Sequence, residues 1–344
     1  MPIRVLMLTT SWPTPGQPRS THFIKRQADF LQAAGVEIDV FHFEARKRIG
    51  NYLSAWRRAW PLLRSGRYDL VHAQFGQSGL PALPKRLPLV VTLRGSDLLG
   101  IVGPGGRYTL AGRLAQALTR LVARNADAVI AVSEHMKDYL PPTMPVTIVP
   151  SGLNLTLFRP IARDEARRHL GLPPDRLFVL FAGNPAEPRK RYDLARRAVN
   201  ELNRSMTADL VVAWGVPHEN MPYYMGACDA MLFTSMQEGS PNVVKEALAC
   251  DLPVVSVPVG DVEQRLANIE GCELVRDEQP QALAAALERV LRRGGRVKGR
   301  ETVEQLDETA LTRKVIALYQ DVIARACRAA RVSEARAEPA DVGV

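Results

Sequence analysis

Two carboxylates and a short run of cations are the chemically most capable residues of this chain. Glu238 and Glu246 stand with seven residues between them in QEGSPNVVKEALACDLPVV (Gln237–Val255). Ser240-Pro241-Asn242 has the chemistry of a helix start, a capping hydroxyl followed by proline in the first turn. The amides of Val243 and Val244 would then be free to face an anion such as phosphate. Glu246 lies one turn farther, roughly 6 Å along the axis at ~1.5 Å per residue, within reach of a ribose carried by that phosphate. Glu238, in the preceding loop, faces the other side, where a transferred group would sit. Carboxylates bind vicinal diols through paired hydrogen bonds, so the arrangement suits a nucleotide sugar. Taken alone, the pair is better explained by an ordinary helix cap with solvated glutamates.

The cations are Arg189, Lys190 and Arg191, in LFAGNPAEPRKRYDLARRAV (Leu180–Val199). They follow a strand and a glycine turn and precede a helix. Fixed Arg and Lys donors at such a place stabilise the charge that grows on a departing diphosphate, without a metal. A solvated basic turn is the plainer alternative. TLRGSDL (Thr92–Leu98) and VTIVPSGLNLTLFRP (Val146–Pro160) are two further strand ends rich in Gly and polar residues.

These segments need elements to hold them. Short β-branched runs alternate with amphipathic helical stretches, beginning with Ile3–Thr10 and a helix over Phe23–Ala34 that Gly35 ends. A second series begins near residue 175 with RLFVLFAG. Such alternation predicts an α/β chain of two Rossmann-like, doubly wound parallel-sheet domains facing a cleft. In such sheets ligands bind beyond the C-terminal ends of the strands. The domain expectation is residues 1–152 for the acceptor, then 153–310 as connector plus nucleotide-sugar domain. A helix over 311–330 is expected to pack back on the first domain, ahead of a flexible tail at 331–344.

The composition fits: 344 residues, 24% charged, 46% hydrophobic, values of an ordinary globular protein. No apolar run approaches the ~20 residues of a membrane span. MPIRVLMLTT does not read as a signal peptide. Cys228, Cys250, Cys272 and Cys327 are scattered, without zinc or disulfide spacing, and no HExxH or Asp-x-Asp occurs. A reducing cytoplasm and metal-free chemistry follow as expectations. The net charge is +9, and it is lopsided: residues 1–150 hold 19 basic and 9 acidic residues, residues 151–344 hold 26 and 27. The first half therefore favours an anionic partner.

Taken in order and spacing, TLRGSD, Val132-Ser133, VPSGLNLTLFRP, GNPAEPRKRYDL and EGSPNVVKEALACDLPVV resemble glycosyltransferase family 4, the retaining group 1 enzymes of the GT-B fold. The resemblance spans roughly Val5–Arg293. It implies that Lys190, assisted by Arg189, contacts the donor diphosphate, that Glu246 binds the nucleotide ribose, and that Glu238 sits beside the donor sugar and its reacting centre. Gly239, Asn242, Val243 and Val244 would form the loop and helix start around sugar and phosphate, with Gly183, Asn184 and Gly16 completing the donor side. Trp214–Met225 would cradle the base. Ser96 and Asp97 are assigned to the acceptor. The implied reaction moves a sugar from a nucleoside diphosphate, uridine- or guanosine-linked, to an acceptor hydroxyl with retention and without a cofactor.

The chain departs from the family pattern in places. Arg94 replaces the histidine of H-G-x-D, Asn184 replaces an arginine, Lys190-Arg191 replaces Lys-Gly, and Gly16 is the sole glycine of the first loop. Arg94 is therefore expected to supply the cation that Asn184 no longer provides. The basic first domain points to a lipid-linked or anionic polysaccharide acceptor. Arg46–Arg67, with Ile49, Tyr52, Leu53, Trp56, Trp60 and Leu63 on one helical face, is a candidate for contact with an anionic membrane at the inner face of the cell membrane. Gly103–Gly106 is a candidate acceptor lid. The rivals are an inactive sugar-nucleotide-binding homologue and a GT-B epimerase. A nicotinamide dehydrogenase lacks its GxGxxG, and a nucleic-acid binder lacks any recognisable motif. The oligomeric state stays open.

Overall fold

In the computed structural model, residues 2–13, 22–44, 49–103 and 107–337 are described. Gly16, residues 46–48 and residues 104–106 of the glycine loop lie outside them.

The strands form where the sequence carries short runs rich in apolar and β-branched residues. In the first half these are β1 (Arg4–Thr9), β2 (Glu37–His42), β3 (Leu70–Gln74), β4 (Leu89–Leu93), β5 (Ala128–Ala131) and β6 (Val146–Ile148). β3, β4 and β5 are buried at every position, as parallel strands covered on both faces must be. They join in one parallel sheet ordered β2-β1-β3-β4-β5-β6. In the second half β7 (Leu177–Phe181), β8 (Ala208–Val212), β9 (Ala230–Phe233), β10 (Val254–Ser256) and β11 (Glu273–Leu274) form a parallel sheet ordered β11-β10-β9-β7-β8. Both sheets thus reverse direction at the same place, between their first and third strands. That reversal opens a crevice beyond the strand ends.

The helices of the first unit are α1 (His22–Ala33), α2 (Ile49–Leu63), α3 (Ser96–Leu99) and α4 (Leu110–Asn125). Gly35, at φ 88°, lets the chain turn from α1 into β2. α2 does not present the face read from its sequence. Ala55, Ala59 and Leu63, with Tyr52, pack on the sheet, and Leu53 points to water at 50% exposure. Small alanines allow the closest approach, so the tryptophans sit at the flank: Trp56 donates its indole N–H to the Leu83 carbonyl at 2.9 Å. Of the face proposed for a membrane, Tyr52 and Leu63 pack on the core, and Trp56 and Trp60 are half-buried beside it.

The second unit adds α5 (Arg163–Leu170), α6 (Tyr192–Leu202), α7 (Met221–Ala227), α8 (Asn242–Ala249), α9 (Val262–Leu266), α10 (Pro280–Arg293) and α11 (Glu308–Ala337). Leu153 and Phe158, expected in a connector, belong to this unit's core. The chain crosses between units twice, side by side: the Leu153 amide bonds to the Leu306 carbonyl at 2.9 Å. α11 then lies on the first sheet, with Leu311, Val315, Tyr319 and Val322 buried among Val5, Met7, Ile24 and Leu70. α11 continues to Ala337, into the stretch expected to be a loose tail.

Candidate active site

The loops after β4 and β5 touch the loop after β9. Gly95 and Gly239 meet backbone to backbone: a methyl group on Gly239 would stand 2.6 Å from the Arg94 carbonyl oxygen. Ser133 Oγ donates to the Gly239 carbonyl at 2.8 Å, and Gln237 Nε2 donates to the Leu99 carbonyl at 3.0 Å. Between these contacts lies a cavity of about 200 Å³ lined from both units, with Arg94, Ser96, Arg189, Glu238, Gly239 and Asn242 in its wall.

The cations and the first carboxylate form one cluster. Glu238 Oε1 accepts from Arg189 Nη1 and from Lys190 Nζ, each at 2.6 Å. Burial alone would raise the Glu238 pKa, but Lys190 and Arg189 more than offset it and hold the carboxyl below its ordinary range. The same pairing, with Glu187, outweighs desolvation at Arg189 and raises its pKa. Both cations come from the turn of helix at Pro188–Lys190, which ends on Arg191 in the left-handed region at φ 52°. Gly183, at the end of β7, lies under the Lys190 stem, where a methyl group would be 3.5 Å from Cδ.

α8 starts on Pro241, whose side chain offers no acceptor, so its first amides carry no side-chain cap. Ser240, expected to cap them, instead donates to Asp261 Oδ2 at 2.8 Å. The sequence could not reveal this, because the competing acceptor lies 21 residues on. The effect is to leave the amides at Val243 and Val244 available, the property an anion site needs. Asn242 Oδ1, beside them, is buried without a partner. Glu246 is 7% exposed and accepts from His218 Nε2 at 3.4 Å. His218 in turn stacks with His22 of the first unit, ring centres 5.5 Å apart. Neither histidine stood out in the sequence, although His218 falls in the Trp214–Met225 stretch assigned to the base. Trp214 there is 59% exposed.

Arg94 occupies the cavity wall on the first unit. Its guanidinium is held by Gln74, Gln27 and Ser151 at 2.6–3.0 Å, all neutral partners, and lies over the Phe23 ring at 4.9 Å. Burial pushes its pKa down to about 10, so it stays charged at neutral pH. It therefore brings a cation to the cavity without a bonded carboxylate. Asn184 uses its side chain locally, accepting from the Ala186 amide at 2.9 Å.

Asp97 does not face the cavity. It is 2% exposed and accepts from the amides of Gly76, Gly95 and Arg94 at 2.8–3.1 Å. It shapes the loop that carries Arg94, which corrects its assignment to the acceptor; Ser96 alone of that pair reaches the cavity. Lys245, missed in the sequence, is wholly buried on the inner face of α8 and donates to the Ser151 carbonyl at 3.0 Å. A lysine among Val244, Ala247 and Leu248 was the available signal. Among the described residues no group of three or more His, Cys, Asp or Glu side chains is placed to hold a metal ion, and no helix is long and apolar enough to cross a membrane.

Comparison with known proteins agrees with this architecture. Residues 3–152 match the glycosyl transferase 4-like domain and residues 177–293 match the glycosyl transferases group 1 family. TuaC of Bacillus subtilis strain 168, named for a teichuronic acid biosynthesis glycosyltransferase, is 25% identical over 83% of this chain and 89% of its own. Sucrose-phosphate synthase of Thermosynechococcus elongatus has the same fold, with TM-score 0.78 at 20% identity over 94% of this chain and 100% of that one. HepE of Anabaena, solved with UDP and glucose, superposes with TM-score 0.65 at 16% identity over 93% and 100%. The chain belongs to the group 1 glycosyltransferases and has their GT-B fold.

Proposed function

We propose that this transferase moves a glycosyl group from a nucleoside diphosphate sugar to a hydroxyl of a lipid-linked or polysaccharide-type acceptor, with retention of anomeric configuration. The observation that carries this reading is the convergence of Arg189 and Lys190 on Glu238, beside the uncapped start of α8. A diphosphate at that point meets two cations and free amides. Glu246, one turn into α8, then lies at the distance of the ribose. HepE, solved with UDP-glucose, supports a uridine-linked donor as the first to try.

In the proposed reaction the bond from the anomeric carbon to the diphosphate breaks while the acceptor oxygen bonds on the same face. The departing phosphate oxygen takes the acceptor proton. Arg189, Lys190 and Arg94 stabilise the charge that develops there, so the proposal needs neither metal nor cofactor. Glu238, kept ionised by its cations, orients the sugar hydroxyls. The two units exclude water around the reacting centre, which suppresses hydrolysis.

Thermal stabilisation by uridine-, guanosine- and adenosine-diphosphate sugars tests donor binding. Saturation at 100 times the dissociation constant should add about 2.7 kcal/mol. Lys190→Ala with Glu246→Gln should abolish the effect. Stabilisation undiminished in that variant, or an inverted product by NMR, would overturn the reading.

A further inference from the structure

Lys245 is wholly buried, and the proposed reaction makes no use of it. A leucine or methionine at this place on α8 would pack among Val244, Ala247 and Leu248 without the penalty of burying an amine. That penalty shows in the side chain itself, because burial lowers its pKa to about 7. Proteins keep locally unfavourable residues where they serve a site.

The contacts of Lys245 lead to the cavity. Its Nζ donates to the Ser151 carbonyl at 3.0 Å. Ser151 lies on the first crossing between the units and also stands in the cavity wall. The Ser151 hydroxyl accepts from Arg94 Nη1 at 3.0 Å. One residue thus joins α8, through its main chain, to Arg94, through its side chain. The links that follow are already taken. Arg26 Nη2 donates to the Gly152 carbonyl, and Arg26 Nε pairs with Glu308 at 2.8 Å. A methyl group on Gly152 would run into the Glu308 carboxyl, and the Leu153 amide is held by Leu306. With the crossing fixed at 152 and 153, the bond from Lys245 sets the tilt of the peptide between Ser151 and Gly152.

We propose that Lys245 is a positioning residue for the transfer: through Ser151 it holds Arg94 where charge develops on the departing diphosphate. The inference rests on the transferase reading. Without the amine the Ser151 carbonyl is a buried acceptor with no donor. The peptide then turns to find one, and the hydroxyl leaves the guanidinium. Gln27 and Gln74 still hold Arg94, but no longer against the crossing. A lysine that only stapled α8 to the crossing would leave the charge at Arg94 where it is.

Calorimetric titration of the full chain with UDP and with UDP-glucose tests this without an acceptor. UDP ends in the free phosphate that the departing group becomes, so a cation placed for the developing charge grips UDP harder than UDP-glucose. Lys245→Met should weaken UDP about fivefold and leave UDP-glucose within about twofold of wild type, with no fall in melting temperature at neutral pH. Ser151→Ala keeps the carbonyl, removes the hydroxyl and should show the same loss; it carries the comparison should Lys245→Met fail to fold. Neither change should add to the loss in Arg94→Met, because all three break one chain of contacts. Variants that weaken both ligands equally, or neither, or that add in full to Arg94→Met, would overturn the proposal and leave the transferase reading standing. A wild-type chain that binds neither ligand, nor GDP and GDP-mannose in their place, would overturn both.

Discussion

Gly95 and Gly239 are in backbone contact across the cleft, so neither position can carry a side chain while the units stay together. Gly95 sits at φ 139°, and a methyl group on it would stand 3.1 Å from the Gly239 nitrogen. The opposing atoms are main chain and cannot rotate away. Gly239→Ala should therefore part the loops without touching either core. We expect a small change in melting temperature but a fall of about 100-fold or more in kcat/KM, the scale on which small misplacements act. Steady-state kinetics beside thermal unfolding would check it; near-normal turnover would show that the contact is not part of the working state.

Arg94 joins structure and charge. Gln27, Gln74 and Ser151 all orient to its guanidinium. Read from the sequence, Arg94→Ala costs turnover far more than stability. The network amends that: Gln74 Oε1 and Ser151 Oγ lose the guanidinium together, and Gln27 keeps only its bond from Gln74. Arg94→Met should cost about 1.5–3 kcal/mol of stability, the scale for hydrogen bonds to a charged group, as well as turnover. Urea denaturation and initial rates, measured on the same preparation, separate the two losses.

Lys245 gives stability a pH dependence. Burial, then the charge of Arg265, push its pKa down to about 7, with Asp261 and Glu246 opposing and Arg26 adding to the effect. Between about 7 and its ordinary 10.5 the unfolded chain holds this proton and the native chain does not, so stability rises with pH across that window. Below it the lysine is charged in both states and its burial penalty is fully present. Lys245→Met should flatten the rise and raise the melting temperature at neutral pH. Melting temperatures followed from pH 6 to about 10 decide this; a parallel rise in wild type and variant would refute it.

Tyr319 and His72 tie α11 to the first sheet. Tyr319 Oη and His72 Nδ1 are 2.6 Å apart, and His72 Nε2 is 2.7 Å from Thr92 Oγ1. Burial, then Arg94, push the His72 pKa down to about 3, so the ring is neutral. Its contribution is present above the ordinary 6.5 and is lost as pH falls from there toward 3. Tyr319→Phe leaves a buried ring nitrogen unpaired and should cost about 1–3 kcal/mol. Chemical denaturation measures it; an unchanged midpoint would mean that the bond contributes little.

The inner strands were legible because parallel strands covered on both faces must be almost continuously apolar, as LVVTL and AVIA are, and the edge strand β2 as a run broken by Glu37 and Asp39. The cluster of Arg189, Lys190 and Glu238 was legible as segments, though not as bonds. What escaped depends on partners distant in sequence. Ser240 prefers Asp261 to the helix it precedes, and His218 finds His22 across the cleft. α2 escaped for a different reason. Periodicity shows that a helix has an apolar stripe, but it does not tell which stripe meets the core when alanine or glycine permits a closer approach.

The placement of α11 bears on how the molecule comes into being. The face of the first sheet that α1 covers in part stays open until Leu311, Val315, Tyr319 and Val322 arrive, long after β6 is made. The nascent amino-terminal half must therefore wait, its greasy flank open to chaperones or to misassembly, while the later half is synthesised. A chain cut before Glu308 keeps the core of its second unit whole and lacks part of the core of its first.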